Sequence, residues 1–165
     1  MNMIDADVFK LGMRQLAAGV SIVTTRCGEG RAGLTATAVC SVSAEPPQLL
    51  VCVHQDSETY DAIRDSGVLC INLLDMRHEG LARCFAGMTG KRGEERFAEG
   101  RWGEMQTGAP RLLDALAAFD CRIRNGERPG SGSHCIFVAR VVEVAAKPGG
   151  EPLLYMDGQF AGLEV

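Results

Sequence analysis

Two hydrophobic periods take turns along this chain of 165 residues and divide it into helices and strands. Phe9, Met13, Leu16 and Ala17 recur at helical spacing behind Asp5 or Asp7, either of which suits an N-cap. A helix therefore opens the chain and ends near Ala18-Gly19. Val20 to Thr25 is a β-branched run and Leu34 to Ser43 is a second, with Cys-Gly-Glu-Gly-Arg between them, which predicts a hairpin. Pro46-Pro47 breaks the pattern, and Leu49 to Val53 reads as a buried strand. Ser57 is placed to cap a helix over Glu58 to Asp65, and Gly67 to end it. Val68 to Leu74 predicts another buried strand, and His78 to Ala86 a helix with Leu81 and Phe85 inward. Residues 87–111, rich in Gly, Glu and Arg, predict a long mobile excursion. Strands come next at Ala117 to Ile123, Cys135 to Val144 and Leu153 to Phe160, with turns at Asn125-Gly126, Pro129-Gly130 and Pro148 to Gly150.

Strands dominate and short links join most of them. That is the pattern of an antiparallel β-barrel with flanking helices rather than of βαβ units, in one domain over residues 1–165. Composition narrows the class. Apolar residues are 46% and charged residues 23%, as in ordinary globular chains. The net charge of −4 argues against a nucleic-acid binder. The longest apolar run, Leu49 to Val53, falls far short of the roughly 20 residues of a membrane helix. Acids stand at the amino terminus where a secretory signal carries bases, so the reading is a cytoplasmic protein. The 7 cysteines form no Cys-x-x-Cys pair and have no His at zinc spacing, which predicts reduced core thiols.

Gly28-Glu-Gly-Arg-Ala-Gly33 has the spacing of the dinucleotide fingerprint, but a strand-like run comes after it where a helix is required. It reads as a hairpin turn. The histidines at 54, 78 and 134 are too scattered for a metal site. More informative is Leu34 to Ser43, where Thr35, Thr37 and Ser41 interrupt small apolar residues on an interior strand. Buried hydroxyls need partners. Local backbone could supply them, or a flat ligand rich in acceptors, which the small Ala36 and Ala38 would let approach the main chain. Ser57-Glu58-Thr59 opens a helix, and free N–H groups there with two hydroxyls suit a phosphate, although Ser before a helix also serves simply as a cap.

Leu34-Thr-Ala-Thr-Ala-Val-Cys-Ser-Val-Ser43 followed by Pro46-Pro47 resembles the signature strand of the short-chain flavin reductases. Val68 to Leu74, Leu81-Ala-Arg-Cys-Phe-Ala-Gly87, Glu95-Arg-Phe-Ala98 and Gly132-Ser-His134 extend the resemblance over about residues 6 to 162. Within that family, Phe85-Ala-Gly-Met-Thr-Gly90 and Glu94-Glu-Arg-Phe97 are similar to the reductase component of 4-hydroxyphenylacetate 3-monooxygenases, and nearly as similar to the flavin reductase of pyrimidine utilisation.

The resemblance implies an FMN-binding, Greek-key split barrel, acting as a homodimer. It implies NADH- or NADPH-dependent reduction of an exchangeable FMN or FAD, and release of reduced flavin to a separate flavin-dependent oxygenase. A flavin-binding module without turnover is the alternative. Carried over by position, Thr35, Ala36, Thr37 and Ala38 would meet the flavin ring or ribityl chain, and Ser41, Ser57 and Thr59 the phosphate end. Asn72 and Phe85 would border the flavin, and Lys91 and Arg92 would screen phosphates. His134 would face the nicotinamide, with Ser133 standing where many relatives have Asp. Backbone N–H groups from Thr35 to Ser41 are expected to bind the flavin edge. Hydride transfer asks for no acid or base side chain, which accords with the lack of a catalytic motif.

Overall fold

The computed structural model describes residues 4–127 and 132–163. In chain order the first elements are α1 (Ala6–Met13), β1 (Ala18–Gly19), β2 (Ser21–Cys27), β3 (Gly30–Ala36), β4 (Val39–Ala44) and β5 (Pro47–His54). Next come α2 (Glu58–Ser66), β6 (Val68–Leu73) and α3 (Glu79–Phe85). The remainder is β7 (Trp102–Glu104), β8 (Pro110–Leu112), β9 (Ala117–Glu127), β10 (His134–Ala146), β11 (Leu153–Met156) and β12 (Gln159–Gly162).

Seven strands form one antiparallel sheet in the order β3-β2-β6-β9-β10-β5-β4. The two edge strands, β3 and β4, are consecutive in sequence, and only Thr37 and Ala38 join them. A sheet whose edges are tied by two residues must curl until they come together, which is a split barrel. The single strand expected over Leu34 to Ser43 is therefore two strands, one on each side of the split. β3 pairs with β2, and β4 pairs with β5.

Side-chain alternation gives the sheet two buried faces. Val23, Val51, Leu69, Ile71 and Phe137 fill the barrel, together with Tyr60 and Ile63 from α2. On the outer face Val20, Ile22, Leu81, Phe85, Phe97 and Leu153 form a second core. α2 begins as the sequence predicts. Ser57 Oγ accepts the Tyr60 N–H at 3.2 Å, and Gly67 closes the helix at φ 69°.

The β2–β3 turn confirms the hairpin reading of the glycine run. Cys27 pairs with Gly30, and Gly28 takes φ 58° at the first central position, where a type II′ turn demands it. Leu153 to Phe160 is a hairpin rather than one strand, turning at Asp157 and Gly158, both of positive φ. The Asp-Gly pair carried that signal. Asn125-Gly126 lies inside β9 instead of turning, because β9 continues its ladder with β10 to Glu127. The predicted Pro129-Gly130 turn lies outside the described residues.

Residues 87–111 do not form the loose excursion expected. A 3₁₀ turn over Gly93–Ala98 buries Phe97, and β7 pairs with β8. Asp120 anchors the link between those two strands, accepting the Thr107 N–H at 2.8 Å and the Thr107 hydroxyl at 2.5 Å. The opening helix departs in the other direction. Asp5 caps it, accepting the Asp7 N–H at 2.8 Å, yet no residue of α1 is buried. Phe9 is 57% and nearby Leu16 60% exposed, so the apolar face found in the sequence has no core behind it within one chain.

All 7 cysteines are free thiols; Cys70, Cys84, Cys121 and Cys135 are buried as expected of core residues, whereas Cys27 and Cys40 are exposed. No helix among the described residues is long and apolar enough to cross a membrane.

Candidate functional site

A cleft of about 380 Å³ opens where β3, the start of α2 and the segment after α3 converge. Gly33 and Leu34 give one wall, Ser57, Glu58 and Thr59 another, and Lys91, Arg92 and Arg96 a third. Sequence spacing alone could not bring these three segments together; the barrel does.

Each wall is held for a local reason. A Cβ on Gly33 would lie 2.9 Å from the Phe85 ring and 3.0 Å from the Val23 carbonyl, so only glycine lets β3 lie this close to the outer core. Phe85 is buried against Phe97 and Trp102, with ring centroids 5.0 and 5.5 Å away. It supports the cleft from behind. Arg96 is spent on structure. It donates to the carbonyls of Gly33 at 3.0 Å, Lys91 at 3.2 Å and Phe85 at 3.5 Å.

Lys91 pairs with Glu99, and that hydrogen bond holds its ammonium above the ordinary lysine range. Arg92 forms no ion pair among the described residues, which leaves its charge available to a ligand. Thr59 is 3% exposed and lines the cleft, and its hydroxyl has no hydrogen-bonding protein partner among the described residues. The Ser57 hydroxyl is occupied, donating to the His54 carbonyl at 2.7 Å while it caps α2. The N-terminus of α2 adds its own positive end. Cations, a hydroxyl and a helix N-terminus make a donor set for a phosphate; Glu58 in the lining and Glu99, paired with Lys91, oppose it in sign.

The structure thus brings Ser57, Thr59, Lys91 and Arg92 together and disperses the rest. Thr37 and Ala38, in the split, line a separate shallow cleft of about 450 Å³ with Met13, Leu16 and Tyr155. Thr35 turns its hydroxyl inward to the Ala82 carbonyl at 2.7 Å. Ala36 is in the barrel core. Ser41 is exposed on β4, which is no interior strand, and lines neither cleft. Asn72 is 0% exposed and far from available to a ligand. Its amide donates to the Ile22 carbonyl at 3.0 Å and to Thr24 Oγ1 at 3.2 Å, and its oxygen accepts the Leu112 N–H at 2.8 Å. Sequence reasoning gives Arg96 no role, although it sits in the Glu95-Arg-Phe-Ala98 segment; what it bonds is three carbonyls, and no side-chain pattern announces those.

His134 stands exposed at the start of β10, opposite His54 in register, with the two rings edge to face at 5.0 Å. Its Nδ1 lies 2.8 Å from Ser133 Oγ, so Ser133 makes the short contact here. Gln55 N–H donates to the Ser133 carbonyl at 2.9 Å, and the same loop leads into Ser57. The Gly132-Ser-His134 segment is thereby tied to the start of α2. Among the described residues no cluster of three or more His, Cys, Asp or Glu is placed to hold a metal.

Known proteins share both sequence and fold with this chain. "FMN reductase (NADH) RutF 2" of Methylorubrum extorquens strain PA1 is 50% identical over 157 residues, 95% of this chain and 89% of its own. The solved flavin reductase PheA2 superposes with a TM-score of 0.88 at 28% identity, over 98% of this chain and 100% of that one. BorF, the flavin reductase component of a bacterial two-component tryptophan halogenase, superposes at 0.87 with 30% identity, over 96% of this chain and 98% of its own. With its fold matched to theirs, and with the family described as "Flavin reductase like domain" matching residues 13–164, the chain belongs to the flavin reductase-like family.

Proposed function

We propose that this chain reduces FMN with NADH and releases the product to a separate flavin-dependent oxygenase. The observation that carries the reading is the donor set of the basic cleft, in which Arg92, Lys91, Thr59 and the N-terminus of α2 converge on one phosphate-sized space. From Gly33 in that cleft to Thr37 in the split is about 13 Å of extended strand, at about 3.3 Å per residue. A mononucleotide laid along β3 would keep its phosphate at the cations and its ring near Thr37 and Ala38. Thr35 and Asn72 would shape the site from beneath, through Ala82 and Leu112, rather than touch the ligand.

When bound, the flavin supplies the ring that accepts the hydride. The protein's part is orientation: the ring must meet the nicotinamide at about 3–3.5 Å and in line. His134, exposed and steadied by Ser133, is the residue we assign to the nicotinamide side. NADH is preferred to NADPH in this reading because relatives such as the Methylorubrum protein carry NADH in their name. The oxygenase of pyrimidine utilisation is favoured as partner over a 4-hydroxyphenylacetate hydroxylase, since similar chains are named RutF.

We also assign a homodimer. α1, the segment after it and β4 present Val8, Phe9, Leu16 and Val42 to solvent, each at least 47% exposed. Contiguous exposed apolar surface marks an interface.

The test is NADH oxidation with FMN and with riboflavin, which lacks the phosphate. Arg92→Ala is expected to raise the KM for FMN about tenfold, a loss of about 1.4 kcal/mol, and to leave riboflavin within twofold. Equal effects on both flavins would remove the phosphate from this cleft. No NADH oxidation with any flavin would leave a binding module.

A further inference from the structure

Arg31 and Glu94 stand between two clefts. On one side, Ala32, Gly33 and Gly93 line the basic cleft. On the other, Arg31 and Glu94 themselves line a space of about 630 Å³ with Arg26, Trp102 and Glu104. The contact between them ties β3 to the 3₁₀ turn over Gly93–Ala98. Arg31 N–H donates to Glu94 Oε2 at 2.9 Å, its Nε donates to Oε1 at 2.7 Å, and its Nη2 reaches the same oxygen. The guanidinium also lies 4.5 Å over the Phe97 ring. These donors hold the Glu94 carboxyl below the usual range. The pair is nonetheless open to water, with side-chain exposures of 35% and 54%. Exposed pairs part readily.

The space beyond the pair has the groups an adenylate needs. Trp102 is half-buried, its ring packed by Phe85 and Phe97 and its indole N–H donating to the Glu99 carbonyl at 2.7 Å, and the part of the ring that lines this space is the aromatic surface a purine would meet. Glu104 is available to ribose hydroxyls, and Arg26 to a phosphate.

We propose that the Arg31–Glu94 pair is the partition that sets flavin choice. Closed, it ends the site after the first phosphate and favours FMN; parted, it joins the basic cleft to the Trp102 cleft, which takes the adenylate half of FAD. The flavin part of this inference rests on the proposed function. The adenylate part does not.

Trp102 is the single tryptophan of the chain, so its emission reports the second cleft directly. Titration of the full-length protein with 5′-AMP is expected to quench that emission saturably; no saturable quenching overturns the proposal, whether or not the protein reduces flavin. Steady-state kinetics then compare kcat/KM for FMN and FAD. Glu94→Gln keeps the shape and removes the charge, and is expected to lower the FMN-to-FAD ratio about fivefold, the scale set by an exposed pair. Trp102→Leu in the Glu94→Gln background is expected to take that gain back. A ratio unchanged within twofold in a folded Glu94→Gln protein, checked by its thermal melt, overturns the proposal, as does a gain indifferent to Trp102. Failure of the wild type to oxidise NADH with either flavin counts instead against the proposed function, and leaves the AMP titration to decide the cleft.

Discussion

Arg96 donates to the Gly33 carbonyl at 3.0 Å, across 63 residues of sequence, and joins the wall that carries the cations to the wall that carries the strand. The planar guanidinium reaches two further carbonyls, an arrangement that a lysine ammonium on a flexible stem does not reproduce. Arg96→Lys is expected to loosen the cationic wall, raising the KM for FMN at least about fivefold with kcat within twofold. It is expected to lower stability by about 1–2 kcal/mol, the worth of one or two hydrogen bonds. Steady-state kinetics and urea unfolding measure the two. A stability loss with KM unchanged would detach the segment from ligand binding.

Asp120 is 0% exposed and holds Thr107 at both its N–H and its hydroxyl. Removing the carboxylate leaves two buried donors without partners. Asp120→Ala is expected to cost about 2–6 kcal/mol, at about 1–3 kcal/mol for each unsatisfied group. Asp120→Asn, which keeps an acceptor, is expected to cost less. Urea midpoints order the three proteins, and an Asn variant as weak as the Ala variant would contradict the geometry.

Burial raises the Cys121 thiol from 9.0 to about 12, with Asp120 adding to the effect, and burial likewise pushes Cys70 far upward. Linkage gives the sign. Above pH 9 the unfolded chain releases these protons while the native chain keeps them, so unfolding is favoured as pH rises. Below pH 9 neither state releases them and they contribute no pH dependence. Stability is therefore expected to fall between pH 9 and pH 12, with a limiting slope of about 2.7 kcal/mol per pH unit for two thiols. Urea unfolding at pH 8, 9 and 10 measures it, and Cys121→Val should flatten the decline by up to half. In the native state, exposed Cys27 and Cys40 should react with a thiol reagent while Cys70 and Cys121 do not.

Local signals are legible in the sequence because they act within a few residues. Ser57 capping α2, Gly67 ending it and Gly28 turning the hairpin are settled by neighbours in the chain. Features that depend on distant partners are not legible. Nothing between Leu34 and Ser43 announces that the sheet is split at Thr37, since each half pairs with a different strand. Thr35 and Asn72 are polar residues in apolar strands, a pattern that a ligand site and a satisfied core group produce alike. Only the positions of Ala82 and Leu112 decide between them. The resemblance draws attention to the cations at 91 and 92, and nothing in the pattern draws it to Arg96, whose partners are main-chain atoms.

The apolar face of α1 has its own consequence. A helix with no buried residue gains almost nothing from packing within its own chain. Phe9→Glu together with Leu16→Glu is expected to halve the mass measured by light scattering, while the far-ultraviolet spectrum stays that of a folded barrel. If the double variant keeps the wild-type mass, α1 is not the dimer surface. If the wild type is itself monomeric, the homodimer falls.

His134 and His54 face each other across the β10–β5 ladder, and their surroundings differ in a way that separates their roles. His54 Nδ1 accepts the Asp56 N–H at 3.2 Å and helps shape the loop before Ser57, on the side proposed for the phosphate. Among the described residues His134 Nδ1 is bonded only to the neighbouring Ser133 hydroxyl, and its ring is exposed apart from the edge-to-face contact with His54. A residue that shapes the phosphate loop should move the KM for flavin; one that meets the nicotinamide should move the KM for NADH. His134→Ala is expected to raise the KM for NADH about fivefold to tenfold and that for FMN less than twofold, while His54→Ala does the reverse. An effect of this size is that of one lost contact to a bound ligand, about 1–1.4 kcal/mol. Steady-state kinetics with each substrate varied in turn read both variants. Small, equal changes from His134→Ala would return that side chain to the surface and leave the nicotinamide to be held by another group.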